Sequence, residues 1–211
     1  MIVYGSPLSP FVRKTLAYVS EKGLTVEIAP VGLGSQDPTF REASPFGKIP
    51  GFRDGDFTIS DSTAIIAYLE AKHPEPPLIP SEPASRARTI WYEEFADTML
   101  VAAFGKIFFN RIVSPRFLGK PGDDALIAQG QAEMGPLMDY LEKVIPVSGF
   151  LVDDRLTLAD IAVASPFVNL SHCEIEVSAS DHPRLAGYLA AICSRPSFAP
   201  MIAKEKTMLS R

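Results

Sequence analysis

In the first third of the chain, apolar residues come in short runs separated by turn residues; beyond it they recur at helical spacing. Met1–Tyr4 is an apolar run stopped by Gly5-Ser6-Pro7, the pattern of a minimal buried strand. Ser9-Pro10 then opens a helix, because serine is a favoured N-cap and proline suits the first turn. Phe11, Val12, Leu16 and Val19 form its apolar face, Arg13, Lys14, Glu21 and Lys22 its expected water-facing side, and Gly23 its C-cap. Thr25–Ala29 reads as a second strand, giving a βαβ-like start with a parallel pair. A short helix is expected near Asp37–Ala43. Ile49–Arg53 and Phe57–Ser60 flank Asp54-Gly55-Asp56, a hairpin signal. Asp61-Ser62 begins a helix to about Lys72, with Ile65, Ile66 and Leu69 on its buried side.

From Pro74 to Pro83 the chain reads PEPPLIPSEP, five prolines in ten residues, which blocks helix and stiffens an extended path. After it the period is helical: Ala84 to about Arg111, Asp123 to Val144, a helix opened by Thr157-Leu158-Ala159-Asp160 in a capping-box pattern, and one from Pro183 through Ser194. Pro166 is expected to end or kink the third of these, and Ser197 to cap a short last helix. The pattern predicts an α/β domain over residues 1–75, a linker over 76–83 and an all-helical domain over 84–211.

Composition narrows the function class. The 211 residues are 46% hydrophobic and 21% charged, enough for an ordinary core. A net charge of −5 without a basic stripe argues against nucleic acid as a partner. Cys173 and Cys193 lack CxxC spacing, and His73, His172 and His182 lie far apart, so no metal site, disulfide framework or triad is expected. Gly32-Leu33-Gly34 lacks the third glycine of a dinucleotide fingerprint. MIVYGSPLSP has no basic run leading into an apolar one, and no apolar run reaches the ~18 residues of a membrane span. The expectation is a soluble, cytoplasmic protein with no membrane partner.

Asp61-Ser62 supports two readings. Either residue can cap the helix. The same helix start also offers free N–H groups and partial positive charge to a ligand carboxylate, with an aspartate at hand for an ammonium; a free amino-acid end carries both groups. Ile49-Pro50 reads as a strand start, Lys48 as a surface lysine and Ser9 as an N-cap.

SPFVRK at the first helix, KIP before the hairpin, DS at the third helix and TLADIAVA in the helical region occur in an order and spacing that resemble the cytosolic glutathione S-transferase family, serine-type and bacterial-like, along nearly the whole chain. The resemblance implies a thioredoxin-like, glutathione-binding N-terminal domain followed by an all-helical C-terminal domain. It implies that Ser62 holds the γ-glutamyl carboxylate of glutathione and that Asp61, where many relatives carry Glu, contacts the same arm. A cis Ile49-Pro50 bond would turn the Ile49 main chain toward the cysteinyl unit, and Lys48 would reach the glycyl carboxylate. Ser9 would stabilise the thiolate, with Ser6 as the rival hydroxyl and Tyr4 structural. Arg13 and Lys14 would aid the local field, and Phe11, Phe104, Phe108 and Arg111 are candidates for the second substrate. Serine rather than cysteine argues against thiol–disulfide exchange. The implied activity is conjugation of glutathione, as co-substrate, to small hydrophobic electrophiles in detoxification, by a homodimer without metal. The alternatives are glutathione-dependent isomerisation, dehalogenation or ether cleavage, and a non-catalytic glutathione-fold binding protein.

Overall fold

The computed structural model describes residues 1–210. In chain order the elements are β1 (Ile2–Tyr4), α1 (Pro10–Glu21), β2 (Glu27–Ala29), α2 (Pro38–Ala43), β3 (Gly51–Asp54), β4 (Phe57–Ser60), α3 (Ser62–Lys72), α4 (Pro83–Phe95), α5 (Val101–Phe108), α6 (Ser114–Phe117), α7 (Asp124–Val144), α8 (Leu158–His172), α9 (Pro183–Cys193) and α10 (Ala199–Leu209). They divide into two compact units, Met1–Leu78 together with the segment from Pro196, and Ile79–Arg195. This division places α10 with the first unit.

The first unit is built on a sheet of order β2-β1-β3-β4, with β1 parallel to β2 and antiparallel to β3, and β3 antiparallel to β4. This is the expected thioredoxin-like topology. Val3 pairs with Phe52, and both are wholly buried, as are Val12 on α1 and Ile65, Ile66 and Leu69 on α3. Helix α1 ends in a Schellman arrangement, with Gly23 N–H donating to Ser20 C=O and Leu24 N–H to Val19 C=O. The hairpin between β3 and β4 turns through Gly55-Asp56.

The expected polar face of α1 is not in water. Arg13 and Lys14 are fully buried, and Lys22 nearly so. Arg13 donates from Nε to Glu205 Oε1 at 2.9 Å and from Nη2 to Oε2 at 2.7 Å, so α10 supplies its counter-ion. Lys22 Nζ donates to the main-chain carbonyls of His73 (2.8 Å) and Pro76 (2.7 Å) and pairs with Glu70, which also accepts from Tyr18 Oη. Charge can be buried at Arg13 and Lys22 because each meets carboxylate or carbonyl oxygens. Ser197 does not cap α10; its hydroxyl donates to Glu21 at 2.5 Å.

In the second unit α4, α5 and α6 run on through two π-helical turns, Ala96–Leu100 and Phe109–Val113. Helix α8 is buried from Leu158 to Leu170 and continues through Pro166 to His172. The expected stop at Pro166 does not occur, because packing on every side of α8 outweighs the roughly 3 kcal/mol an interior proline costs. Asp160 anchors the N-terminus of α8: its carboxylate accepts the N–H groups of Thr157 and Leu151, each at 2.9 Å, and the hydroxyls of Thr157 and Tyr188, each at 3.3 Å.

Candidate functional site

Strand register brings the predicted residues to one end of the sheet. Tyr4 pairs with Gly51, and Gly51 with Ser60. One residue beyond each strand, the chain reaches Gly5, Pro50 and Asp61, and Asp61 N–H donates to Pro50 C=O at 3.3 Å. Gly5 has φ 156°, and a Cβ there would lie 2.6 Å from Val12 Cγ2 and 3.4 Å from Ile49 Cβ. A side chain at this position would collide with Val12, so only glycine lets the β1–α1 loop lie this closely on α1.

From that loop Ser9 caps α1, its Oγ accepting Val12 N–H at 3.5 Å while its own N–H donates to Ser6 C=O at 2.9 Å. Ser6 Oγ accepts Leu8 N–H at 3.4 Å. Both serines are half-buried, and neither hydroxyl donates a hydrogen bond among the described residues. The α1 N-terminus adds partial positive charge beside Ser9.

The Ile49-Pro50 bond is cis. Ile49 lies just outside β3, and its N–H and C=O make no hydrogen bond among the described residues. A strand end with both groups open can pair with an extended peptide. Lys48 is exposed at the rim; its carbonyl accepts the Ser44 hydroxyl at 2.6 Å, and its ammonium pairs with no described residue.

Asp61 caps α3 through Oδ1, which accepts the N–H groups of Thr63 (2.9 Å) and Ala64 (3.1 Å). The capping reading is therefore realised. Yet Asp61 has φ 83°, a conformation that costs a non-glycine residue about 1–3 kcal/mol and clusters at ligand sites. Ser62, at the first position of α3, is only 2% exposed, and its hydroxyl bonds to no described residue.

Ser9, Ile49, Asp61 and Ser62 thus gather at one sheet end, with Lys48 on its rim. Phe104 and Phe108 do not form an open pocket wall: both are core residues of the second unit, Phe104 packing edge-on to Phe167 at 4.9 Å. Arg111 in that unit donates to Cys173 C=O at 3.2 Å. Phe11 is half-buried in the first unit, and Tyr4 is core, packed with Phe40 and Ala43. Among the described residues no group of three or more His, Cys, Asp or Glu could hold a metal ion, and no helix is long and apolar enough to cross a membrane.

The fold and this sheet end together define a thioredoxin-like domain with open polar groups at one end of its sheet, joined in sequence to an all-helical domain. Residues 3–77 match the glutathione S-transferase N-terminal domain and residues 97–196 the glutathione S-transferase C-terminal domain. A glutathione S-transferase of Hyoscyamus muticus is 28% identical over 208 residues, covering 96% of this chain and 97% of the relative. The structure of glutathione S-transferase III in its apo form is 30% identical, with TM-score 0.81 and coverage of 96% of this chain and 95% of that one. A glutathione S-transferase from Rhodospirillum rubrum F11 is 28% identical, with TM-score 0.86 and coverage of 95% and 90%. The chain belongs to the glutathione S-transferase family and is a glutathione transferase, with glutathione as its co-substrate. Plant and bacterial relatives match alike, so the comparisons set the family and not a bacterial-like subdivision of it.

Proposed function

We propose that Ser9 activates the glutathione thiol, that Lys48, Ile49, Asp61 and Ser62 grip the tripeptide, and that the thiolate is conjugated to small hydrophobic electrophiles. The observation that carries this reading is the meeting of open polar groups at one sheet end: the Ser9 hydroxyl, the Ile49 main chain and the Ser62 hydroxyl.

The chemistry starts from a thiol of pKa near 8.5, only about 3% ionised at pH 7. Ser9 already accepts a hydrogen bond from Val12 N–H, which leaves its O–H free to donate to a sulfur anion. Lowering the thiol pKa by about two units needs ~2.7 kcal/mol, within reach of a charge-assisted hydrogen bond plus the α1 N-terminus. The thiol proton leaves to solvent, and the sulfur lone pair forms a C–S bond as the leaving group departs with its electron pair. A less basic thiolate is also a weaker nucleophile, so holding the peptide and the electrophile in place supplies most of the rate. Ile49 pairs with the cysteinyl unit as an added strand would. Ser62 donates to the γ-glutamyl carboxylate, Asp61 meets the ammonium of that arm, and Lys48 faces the glycyl end.

The proposed setting is the cytoplasm, as a homodimer acting in detoxification. Two free cysteines suit a reducing compartment. Comparison of Ser9→Ala and Ser6→Ala tests the assignment: Ser9→Ala lowers kcat/KM for a chloronitroaromatic electrophile more than tenfold, and Ser6→Ala leaves it within threefold. The reverse pattern moves the role to Ser6.

A further inference from the structure

We infer that Glu205 on α10 is a positioning residue for the reaction: pairing with Arg13, it offsets a positive charge one helical turn from Ser9 and so keeps the glutathione thiolate nucleophilic. This rests on the proposal above that the thiol meets Ser9 at the start of α1.

Arg13 N–H donates to Ser9 C=O at 2.9 Å, so the two residues stand one turn apart on the same face of α1. Side chains on a helix lean back toward its N-terminus, here toward the turn that holds Ser9. The guanidinium is wholly buried and held in a two-pronged pair, Nε to Glu205 Oε1 at 2.9 Å and Nη2 to Oε2 at 2.7 Å. Lys14, the next residue, is also wholly buried. The start of α1 therefore carries buried positive charge beyond that of its own N-terminus.

The negative charge reaches it from α10. Helix α3 packs along α1, but its one carboxylate, Glu70, is engaged near the far end of α1 with Lys22 and Tyr18. Helix α10 has a single acidic residue, Glu205, wholly buried between the exposed Lys204 and Lys206. Apolar residues of similar volume often serve stability as well as a buried ion pair does, so what this pair adds is charge. Buried as it is, that charge is little screened by salt.

Without Glu205 a full positive charge stands on the order of 10 Å from the thiol, which at an effective dielectric of about 20 lowers the thiol pKa by about one unit. With the bound thiol at about 6.5, roughly three-quarters is already ionised at pH 7, so a drop to about 5.5 raises the thiolate only about 1.3-fold. The same drop lowers intrinsic nucleophilicity about threefold for the Brønsted coefficient of thiol exchange, ~0.45. Glu205 thus holds the thiol where it is both ionised and reactive.

Ultraviolet difference titration of bound glutathione, with kcat/KM for the chloronitroaromatic electrophile at saturating glutathione measured against pH, is the test. Glu205→Gln keeps an acceptor for the guanidinium and removes the charge. The bound thiol pKa falls by about one unit, and the profiles cross: the variant is about twofold slower than wild type at pH 7 and about twofold faster at about pH 5.5. Arg13→Gln combined with Glu205→Gln removes both charges and returns the thiol pKa to within about 0.3 of a unit of wild type. An unchanged or raised pKa in Glu205→Gln means that the contact only braces α1 and overturns the inference, as does a double variant that keeps the lowered pKa. If Glu205→Gln does not fold, Arg13→Gln reads the same pair from the other side: a thiol pKa above that of wild type supports the inference, and one at or below it overturns it. Ser9→Ala separates the two proposals. When it raises the thiol pKa and Glu205→Gln does nothing, only the role of Glu205 falls; when neither moves it, the thiol does not sit at the start of α1 and both fall.

Discussion

Asp160→Ala removes a wholly buried carboxylate from the start of α8, and its cost follows from the groups it abandons. Leu151 and Thr157 each lose the acceptor of a 2.9 Å main-chain hydrogen bond, and the Thr157 and Tyr188 hydroxyls lose 3.3 Å contacts. A buried donor left unpaired costs about 1–3 kcal/mol, so the two main-chain groups alone set a loss of about 2–6 kcal/mol. Hydroxyls rotate to other acceptors and add less. Because Asp160 lies in the second unit, the loss falls there and not on glutathione binding by the first. Urea unfolding followed by tryptophan fluorescence reads the effect, since Trp91, the single tryptophan, reports on the second unit. A midpoint shift worth less than about 1 kcal/mol would mean that these donors do not depend on Asp160. The same carboxyl gives a pH signature. Burial pushes its pKa up to about 6, against the opposing pull of its hydrogen-bond donors. A folded pKa above the unfolded value of about 3.9 means that the native state binds the extra proton. Its contribution is fully present below about pH 4 and is lost as pH rises through about 6, a fall of roughly 3 kcal/mol. The stability difference between wild type and Asp160→Asn should therefore narrow across that window; a difference that grows with pH shows the hydrogen-bond donors outweighing burial.

Arg13→Met removes the two-pronged partner of the buried Glu205 carboxylate and should cost about 3–5 kcal/mol, while Arg13→Met combined with Glu205→Leu recovers at least half of that; a double variant no more stable than the single one contradicts the pairing. Asp61→Asn keeps an acceptor for Thr63 and Ala64 N–H, so thermal stability stays within about 0.5 kcal/mol, whereas glutathione affinity falls by roughly 1–3 kcal/mol if the carboxylate meets the γ-glutamyl ammonium. Unchanged affinity by calorimetry leaves Asp61 as a cap alone.

The order of strands and helices was legible because punctuation marks it: Ser9-Pro10, Asp54-Gly55, Asp61-Ser62 and the proline-rich stretch each stop or start an element by local chemistry. The burial of Arg13 was not legible, since its partner Glu205 stands 192 residues away and only the return of α10 to the first unit brings it in. Lys22 is buried for a similar reason, covered by carbonyls at 73 and 76 that no helical period encodes. Pro166 misled because its local penalty is fixed, whereas the packing around α8 that overrides it is tertiary. At the site, Ile49, Asp61 and Ser62 announced themselves as a proline junction and a helix start.

The Ser9 hydroxyl at the α1 N-terminus is proposed to lower the pKa of the glutathione thiol. Ultraviolet difference titration of glutathione bound to the wild-type protein and to Ser9→Ala measures that directly through thiolate absorbance. The bound thiol is expected to titrate at about 6.5 in the wild type and at least one unit higher in Ser9→Ala. A Ser9→Ala protein that binds glutathione with the wild-type thiol pKa contradicts it.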